Sequence, residues 1–420
     1  MKLYKIKKYL TTNNFIVIFF SILPIAVIIS PGVINFAIVL VSLLFFSKKI
    51  NWSFFSNKYF LLLFIFFLYL ILNSFLSQDT ELSIIRAFSY LKFVLFSFAL
   101  AGFLNDNKKK VIIFKIWFLI IFITIIDVYF EKIFGNNIIG FMSSDPQRIA
   151  SFFNEELIVG SFLFAFSFLS LSIFYQKKHH IYWALIFTLG LAILLSGERA
   201  IFFKYLIYIS IFFFLLEKRI FFFHKMLIFL IFTMLIVVSL KISITTKDRQ
   251  SLLFDTLLSD DKKDYAFDTK NIKNNLYKIK HFAHYYTAWK IFEDHPVFGA
   301  GLKTYRIGCS NPNYFNENIA QSEVRCSSHP HQIHFEILSE LGIIGYLMFL
   351  LFFCYILYVA TKQYTKNKDI LLLNSILYIF IALIPIIPSG SFFGTISGVF
   401  FFTNLGILLS FLIKKKKLIY

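Results

Sequence analysis

The sequence predicts an all-α, polytopic integral membrane protein with about 12 transmembrane helices, cytoplasmic N- and C-termini and one long outer loop. Of its 420 residues 58% are hydrophobic and 20% aromatic, mostly Phe. Apolar runs long enough to cross a bilayer follow one another, and short lysine clusters separate them. The mean hydropathy of +0.73 agrees with a membrane protein and not with a soluble domain.

Twelve apolar runs define the expected helices. They cover about 14–30, 32–47, 58–76, 83–104, 111–130, 152–175, 181–196, 200–217, 221–243, 334–360, 370–388 and 392–413. The chain therefore divides into nine helices over residues 1–243, an outer loop over 244–333 and three helices over 334–420.

Lysine placement predicts the orientation. Seven basic clusters fall on alternate ends of the expected spans, from Lys2–Lys8 at the start of the chain to Lys414–Lys417 at its end. The positive-inside rule puts all of them in the cytoplasm, and the loop 244–333 then lies outside the membrane.

The formal net charge is +19, which in a soluble protein would suggest nucleic acid as a partner. Here the lysines occupy short loops between apolar runs, where they orient helices and meet anionic lipid headgroups. We therefore expect membrane lipids as partners and no nucleic acid.

The outer loop has two expected parts. Residues 247–275 are polar without clear periodicity, which indicates a flexible segment. From about Ile272 to Asp294 the sequence predicts an amphipathic helix with Ile279, Phe282, Tyr286 and Trp289 along its apolar stripe. Pro296, Gly299 and Gly301 are expected to end it.

Arginines collect on the outer side, whereas the orienting charges are lysines. Arg86, Arg148 and Arg199 lie at outer ends of spans, and Arg249, Arg306 and Arg325 lie in the outer loop. Arginine presents a planar fork that suits phosphate oxygens. Snorkelling to headgroups explains any single arginine, but three at one face favour a site for an anionic ligand.

Two short stretches carry candidate ligand-binding residues. In Ser196-Gly197-Glu198-Arg199 the glycine permits a tight turn that fixes Arg199 at the outer face, with Lys204 further along the next span. Arg148 precedes Asn154-Glu155-Glu156, whose carboxylates are candidates for orienting a basic group or binding a sugar hydroxyl.

A histidine cluster stands at the mouth of the tenth span. Ser328-His329-Pro330-His331-Gln332-Ile333-His334 runs directly into an apolar helix that carries Glu336 and Glu340. Outside the membrane, a histidine at a helix mouth suits general-base chemistry near neutral pH. A metal site of His329, His331 and His334 is an alternative, but no carboxylate or thiolate clearly completes it, so we expect no metal. Hydrogen bonding at the membrane interface is the purely structural alternative.

The chain has three cysteines. Cys309 and Cys326 share the outer loop and are candidates for a disulfide, with two free thiols as the alternative. Cys354 lies within a span, where we expect an inert core residue.

Three motifs in order resemble the O-antigen ligase family. His331-Gln332 followed by nine residues, Gly342, two residues and Gly345 is similar to the family's H-[N/S/Q]-x9-G-x-x-G signature. Ser196-Gly197-Glu198-Arg199-Ala200 resembles its arginine motif. Ala288–Gly301, with Asp294-His295-Pro296 and Gly299-Ala300-Gly301, resembles the segment before its histidine.

The resemblance implies an inverting, metal-independent glycosyltransferase without a cofactor in the bacterial inner membrane, with its active site facing the periplasm. It would move a glycan from undecaprenyl diphosphate to lipid A–core. The family's roles fall on His331 as the base and on Arg199 as a diphosphate ligand. Around them we expect diphosphate or glycan contacts from Arg148, Arg86, Arg306, Lys204, His329, Glu155 and His281.

One departure and several alternatives stay open. The family has another arginine ahead of the tryptophan of the amphipathic helix, and this chain has Lys280-His281-Phe282-Ala283-His284 there. One of these histidines, Lys280, Arg306 or Arg249 is a substitute. O-antigen polymerase and protein O-oligosaccharyltransferase are alternative enzymes. A lipid-linked glycan transporter is the alternative of another class, although the charges here lie at the outer face and not at the midplane.

Overall fold

The structure, a computed structural model, describes residues 12–104, 106–175, 179–216, 281–385 and 387–413. These residues form helices, turns and loops, with no strand among them. The predicted ninth span, the polar segment 247–275 with Arg249, and the first part of the predicted amphipathic helix, including Ile279 and Lys280, lie outside the described residues. The basic clusters Lys2–Lys8 and Lys414–Lys417 lie outside them as well.

Fourteen α-helices occur within these ranges. They are α1 Thr12–Ser21, α2 Leu23–Ile29, α3 Pro31–Phe46, α4 Lys58–Phe75, α5 Thr80–Phe103, α6 Asn107–Phe134, α7 Val159–Tyr175, α8 His179–Leu195, α9 Arg199–Leu216, α10 Phe282–Asp294, α11 Tyr305–Gly308, α12 Ile333–Asn367, α13 Ile370–Ala382 and α14 Thr395–Leu412. Short 3-10 turns cover Lys49–Phe54, Ser151–Phe153, Pro312–Tyr314 and Ser322–Val324.

Five of the described helices are long and apolar enough to cross a membrane, namely α4, α5, most of α6, α12 and α14. Shorter apolar helices cover Pro31–Phe46, Val159–Tyr175, Ile181–Leu195 and Ile370–Ala382. The all-helical membrane class is thus confirmed, while twelve spans and their orientation stay predictions. Large apolar side chains such as Phe36, Leu43 and Leu72 are exposed on helix surfaces, as expected of faces turned to lipid.

Helix ends follow local sequence signals. Ser30 accepts a hydrogen bond from the Val33 amide, and Pro31 is the first residue of α3. A new helix therefore begins directly after the first expected span. The first expected span consists of two helices, because the helix is interrupted at Ile22, ahead of Pro24. Likewise α13 ends at Ala382, before Pro385, and the eleventh span is shorter than predicted.

The chain divides into two compact units. One comprises Met1–Ile116 with Ile279–Tyr420, and the other Trp117–Lys278. In the first unit, α5 packs against α4 and α14, and α12 packs against α10. In the second unit, α8 packs against α7 and α9.

Candidate functional site

The histidine cluster of the first unit stands above an interrupted helix. Within α12, Gly342 has φ 64° and ψ −169°, so the helix breaks there. Residues 296–301, which we call the inserted segment, take up the hydrogen bonds freed by the break. Ala300 donates to the Ser339 carbonyl and Gly301 to the Glu340 carbonyl, both at 2.9 Å, and Ile343 donates to the Pro296 carbonyl at 2.9 Å.

Gly342 of the histidine signature and Gly299 of the segment before it allow the backbone of the inserted segment to approach α12 closely. A Cβ on Gly342 would lie 2.3 Å from the Val297 carbonyl oxygen, and one on Gly299, at φ +74°, would lie 2.4 Å from the Glu340 backbone. Both contacts are impossible for a larger residue. The Tyr69 hydroxyl of α4 donates to the Leu341 carbonyl at 2.6 Å, so this buried carbonyl next to the break also has a partner.

Four histidine rings meet outside this break. The ring centroid of His331 lies 4.4 Å from that of His329, 4.9 Å from His284 and 5.3 Å from His281. His281 and His284 come from the start of α10, whereas the other two come from the loop before α12. The structure thus brings together three predicted site residues, His281, His329 and His331, with a fourth histidine.

The backbone of His331 is held in a left-handed conformation, with φ 57°. Its carbonyl accepts a hydrogen bond from the Ser389 amide at 2.8 Å, and the Ser389 hydroxyl accepts one from Ile333 at 3.1 Å. Gln332 caps α12 by accepting from the Phe335 amide at 3.1 Å. This conformation is uncommon for a residue with a side chain, and these contacts stabilise the backbone that carries the imidazole.

His284 is anchored through the outer loop. Its Nδ1 lies 2.7 Å from the Arg325 carbonyl oxygen, to which the Tyr305 hydroxyl also donates at 2.8 Å. The next residue, Cys326, forms a disulfide with Cys309, and the Cα atoms are 5.2 Å apart. The Arg325 guanidinium donates to the carbonyls of Ser322 and Asn311, so it braces the loop.

Burial governs the charge of His329. It lowers the pKa of this imidazole below its ordinary value of 6.5, with Glu336 acting in the opposite direction and Lys303 in the same direction. His329 is therefore neutral near pH 7 and is able to stand beside His331 without repelling a proton there.

Arg86 lies on the face of α5 that also carries Ser83 and Tyr90. The Ser83 hydroxyl donates to the Leu302 carbonyl at 2.8 Å, and the Tyr90 ring packs 6.5 Å from that of Phe392. The Arg86 Nε atom is buried and has no hydrogen-bond partner among the described residues. A guanidinium in this condition is suited to an anionic ligand.

In the second unit, Glu198 organises the arginine motif. Its carboxylate accepts hydrogen bonds from the Gly160 amide at 2.6 Å and from the Ser161 hydroxyl at 2.5 Å, at the start of α7. Burial raises the pKa of Glu198, whereas the hydrogen bond from Ser161 and the charge of Arg148 act against the rise. Arg199 follows as the first residue of α9, so the turn, α7 and Arg148 are tied together through Glu198.

The structure also gives the surroundings of the other candidate residues. His334 points to the Tyr346 hydroxyl at 3.1 Å and the Leu383 carbonyl at 2.8 Å, so a metal site with His329 and His331 is not assembled. Arg306 is exposed and donates to the Ser328 carbonyl at 3.4 Å. Glu155 is exposed, and Lys204 is 5% exposed within the second unit.

The packing of α10 and of Cys354 differs from what the sequence emphasised. In α10 the buried side chains are Ala283, Thr287, Ala288 and Ile291, whereas Phe282 and Tyr286 of the predicted stripe are half-buried and Trp289 is 43% exposed. Small residues face inward because α10 packs closely on α12. Cys354, expected in the core, is exposed on α12.

Sequence reasoning missed Lys303. Its ammonium Nζ lies 2.7 Å from Glu336 Oε1, and the two side chains are 4% and 0% exposed. A lysine on the outer side, away from the orienting clusters, and a glutamate in the first turn of an apolar helix were the available signals.

Comparison with known protein families identifies part of the chain. Residues 183–350 match the family model described as O-antigen ligase, and this segment includes Arg199, the inserted segment and His331. No curated protein matches the sequence significantly. The match supports the resemblance that the three motifs indicated, over this segment of the chain.

Proposed function

We propose that this chain, whose residues 183–350 match the O-antigen ligase family model, transfers a glycan from undecaprenyl diphosphate to lipid A–core at the periplasmic face of the inner membrane. The observation that carries the proposal is His331. Its imidazole stands in a cluster of four histidines at the start of α12, on a backbone held by Ser389 and Gln332.

In the proposed reaction His331 is the general base. The acceptor sugar hydroxyl gives its proton to the imidazole while its oxygen attacks the anomeric carbon of the donor. The bond from that carbon to the diphosphate breaks, and its electron pair leaves with the undecaprenyl diphosphate. Attack opposite the leaving group inverts the anomeric centre.

The departing diphosphate needs positive charge more than it needs a metal or nucleotide pocket. We propose that Arg199 and Arg148 bind it, since Glu198 fixes the turn that carries Arg199. We also propose Arg86, whose Nε is unsatisfied, as the cation that replaces the missing family arginine. His281, Arg306 and Lys204 are candidates for further contacts to phosphate or glycan, as is Glu155 for a sugar hydroxyl.

The test compares His331→Ala with His334→Ala. Both remove one imidazole, but His334 is bonded to Tyr346 and Leu383 away from the cluster and is therefore a matched control. We expect loss of the base to lower glycan transfer about 10²–10⁴-fold, and the control to retain most of it. Lipopolysaccharide gels and an assay of the carrier-linked glycan pool are run in parallel.

The gel pattern separates the possible activities. Loss of long chains from lipid A–core with polymer accumulating on the carrier supports the ligase. A single repeat unit left on the core identifies a polymerase, and glycan lost from protein identifies a protein O-oligosaccharyltransferase. An unchanged ladder with an unchanged pool rejects His331 as the base.

A further inference from the structure

A buried ion pair lies directly behind the histidine loop. Lys303 Nζ and Glu336 Oε1 are 2.7 Å apart, and neither side chain reaches the surface. The Ser391 hydroxyl contacts both, since it accepts from Lys303 and donates to Glu336. The Phe392 amide donates to the second oxygen of Glu336 at 2.7 Å.

Lys303 is gripped at its backbone as well. Its amide donates to Glu340 Oε2 at 2.8 Å, and its φ of 66° is left-handed. One lysine thus engages two carboxylates that stand one turn apart on α12, immediately before the break at Gly342. The other oxygen of Glu340 is buried without a hydrogen-bond partner among the described residues.

Stability alone is a poor explanation for this arrangement. Removing two charges from water offsets most of their attraction, and apolar residues of similar size often stabilise a fold as well or better. A buried pair does, however, fix geometry, because neither charge tolerates separation from the other.

A short strap links the ion pair to the histidine loop. Residues 389–392 form it, with Ser391 and Phe392 bonded to Glu336 at one end. At the other end Ser389 donates to the His331 carbonyl and accepts from the Ile333 amide. The Ser389 carbonyl oxygen also lies 3.4 Å from Nε2 of His329.

We propose that Lys303 and Glu336 are positioning residues that hold the His331 imidazole in its working orientation through the strap 389–392. The inference rests on the proposed role of His331 as the base. When Lys303 is replaced, Ser391 loses one of its two partners and Glu336 is left as a buried carboxylate without its counter-charge. The strap bonded to Glu336 then shifts, and the left-handed backbone at His331 relaxes to commoner conformations. Substrate binding through the arginines is left intact.

The experiment uses the full-length protein in detergent with two readouts. The first is amide hydrogen exchange in peptides that cover 331–335 and 387–391, which requires no activity. The second is steady-state transfer, in which kcat and KM for the donor are separated. Lys303→Met is compared with Lys290→Met, which breaks an exposed ion pair to Glu293 of 2.5 Å on α10.

We expect Lys303→Met to raise exchange in those two peptides and to lower kcat about 10–100-fold, with KM within about twofold of wild type, as for a misplaced catalytic group. Lys290→Met should change neither. Ser389→Ala removes the acceptor for Ile333 without touching the ion pair, so it should reproduce the effect in a chain that folds even if Lys303→Met does not.

Unchanged local exchange in a folded Lys303→Met or Ser389→Ala variant overturns the proposal. So does normal kcat with raised KM. If exchange rises locally while wild type transfers no glycan, the positioning stands and the proposed reaction fails, so the two failures are distinguishable.

Discussion

At the scale of single residues, the histidine cluster shows how burial and nearby charges set the protonation of one histidine beside another. His331 and His329 are both partly buried, and the Nε2 atom of His329 lies 3.4 Å from the Ser389 carbonyl oxygen. A neutral His329 adds no positive charge beside the imidazole that is proposed as the base. The same lowered pKa has a consequence for stability.

Acidification should unfold the protein partly through His329. Because burial lowers its pKa below 6.5, the folded state prefers the neutral ring. The unfolded chain therefore binds more protons, and the contribution of His329 to stability is present above about pH 6.5 and is lost as the pH falls through the folded pKa. Charges facing the ring modulate this, with Glu336 opposing and Lys303 and His284 reinforcing the shift.

Thermal unfolding of wild type and His329→Gln between about pH 8 and about pH 5 measures the effect. The unfolding midpoint of wild type should fall more steeply on acidification than that of the variant. Parallel curves would show that His329 does not contribute.

Residue-level prediction from the sequence reached His331 and Gln332, because their chemistry is local to one motif. It did not reach Lys303, whose partner Glu336 is 33 positions away and becomes a neighbour only after the inserted segment docks. Arg86 was found from its charge at an outer helix end, but its unsatisfied Nε is visible only in the structure.

At the scale of elements, the break in α12 is the feature that periodicity concealed. The run 334–360 is predominantly apolar, with Glu336 and Glu340 near its start, so its pattern predicts one uninterrupted helix. The glycines at 342 and 345 were recognised as a motif, but their physical reason lies in the backbone of residues 296–301 and in Tyr69. Similarly, the sequence interpretation of α10 relied on its large aromatic residues, whereas the side chains buried by its close packing on α12 are mostly small.

Tyr69→Phe tests the break. The substitution leaves the Leu341 carbonyl without its 2.6 Å hydrogen bond in an apolar setting, which should destabilise the fold by about 1–3 kcal/mol. Tyr358→Phe is the matched control, because Tyr358 is 65% exposed on the same helix, α12. Thermal unfolding in detergent gives the measurement, and equal midpoints for both variants would contradict a stabilising role for Tyr69.

At the scale of the whole molecule, composition was enough to assign the membrane class, because apolar runs of this length are typical of transmembrane helices. The count of twelve helices is harder to reach, since short apolar helices such as α1 and α2 combine into one predicted span. The orientation rests on lysine clusters alone and is open to direct measurement.

Single cysteines introduced at Glu155 and Lys366 in a Cys354→Ser background test that orientation. Both positions are exposed, and the positive-inside rule places the first outside and the second inside. A membrane-impermeant maleimide should label Glu155→Cys in intact spheroplasts, and Lys366→Cys only after lysis. The reverse pattern would invert the topology and place His331 in the cytoplasm.

The interruption of α12 also bears on how the chain is made. Ribosomes deliver the N-terminal part of a protein first, so residues 296–301 emerge before the helix that they interrupt. The partner for the Ser339 and Glu340 carbonyls is thus already present when α12 is synthesised. A circular permutant that supplied the inserted segment last would have to open a finished, straight helix inside the bilayer, where unpaired carbonyls find no water.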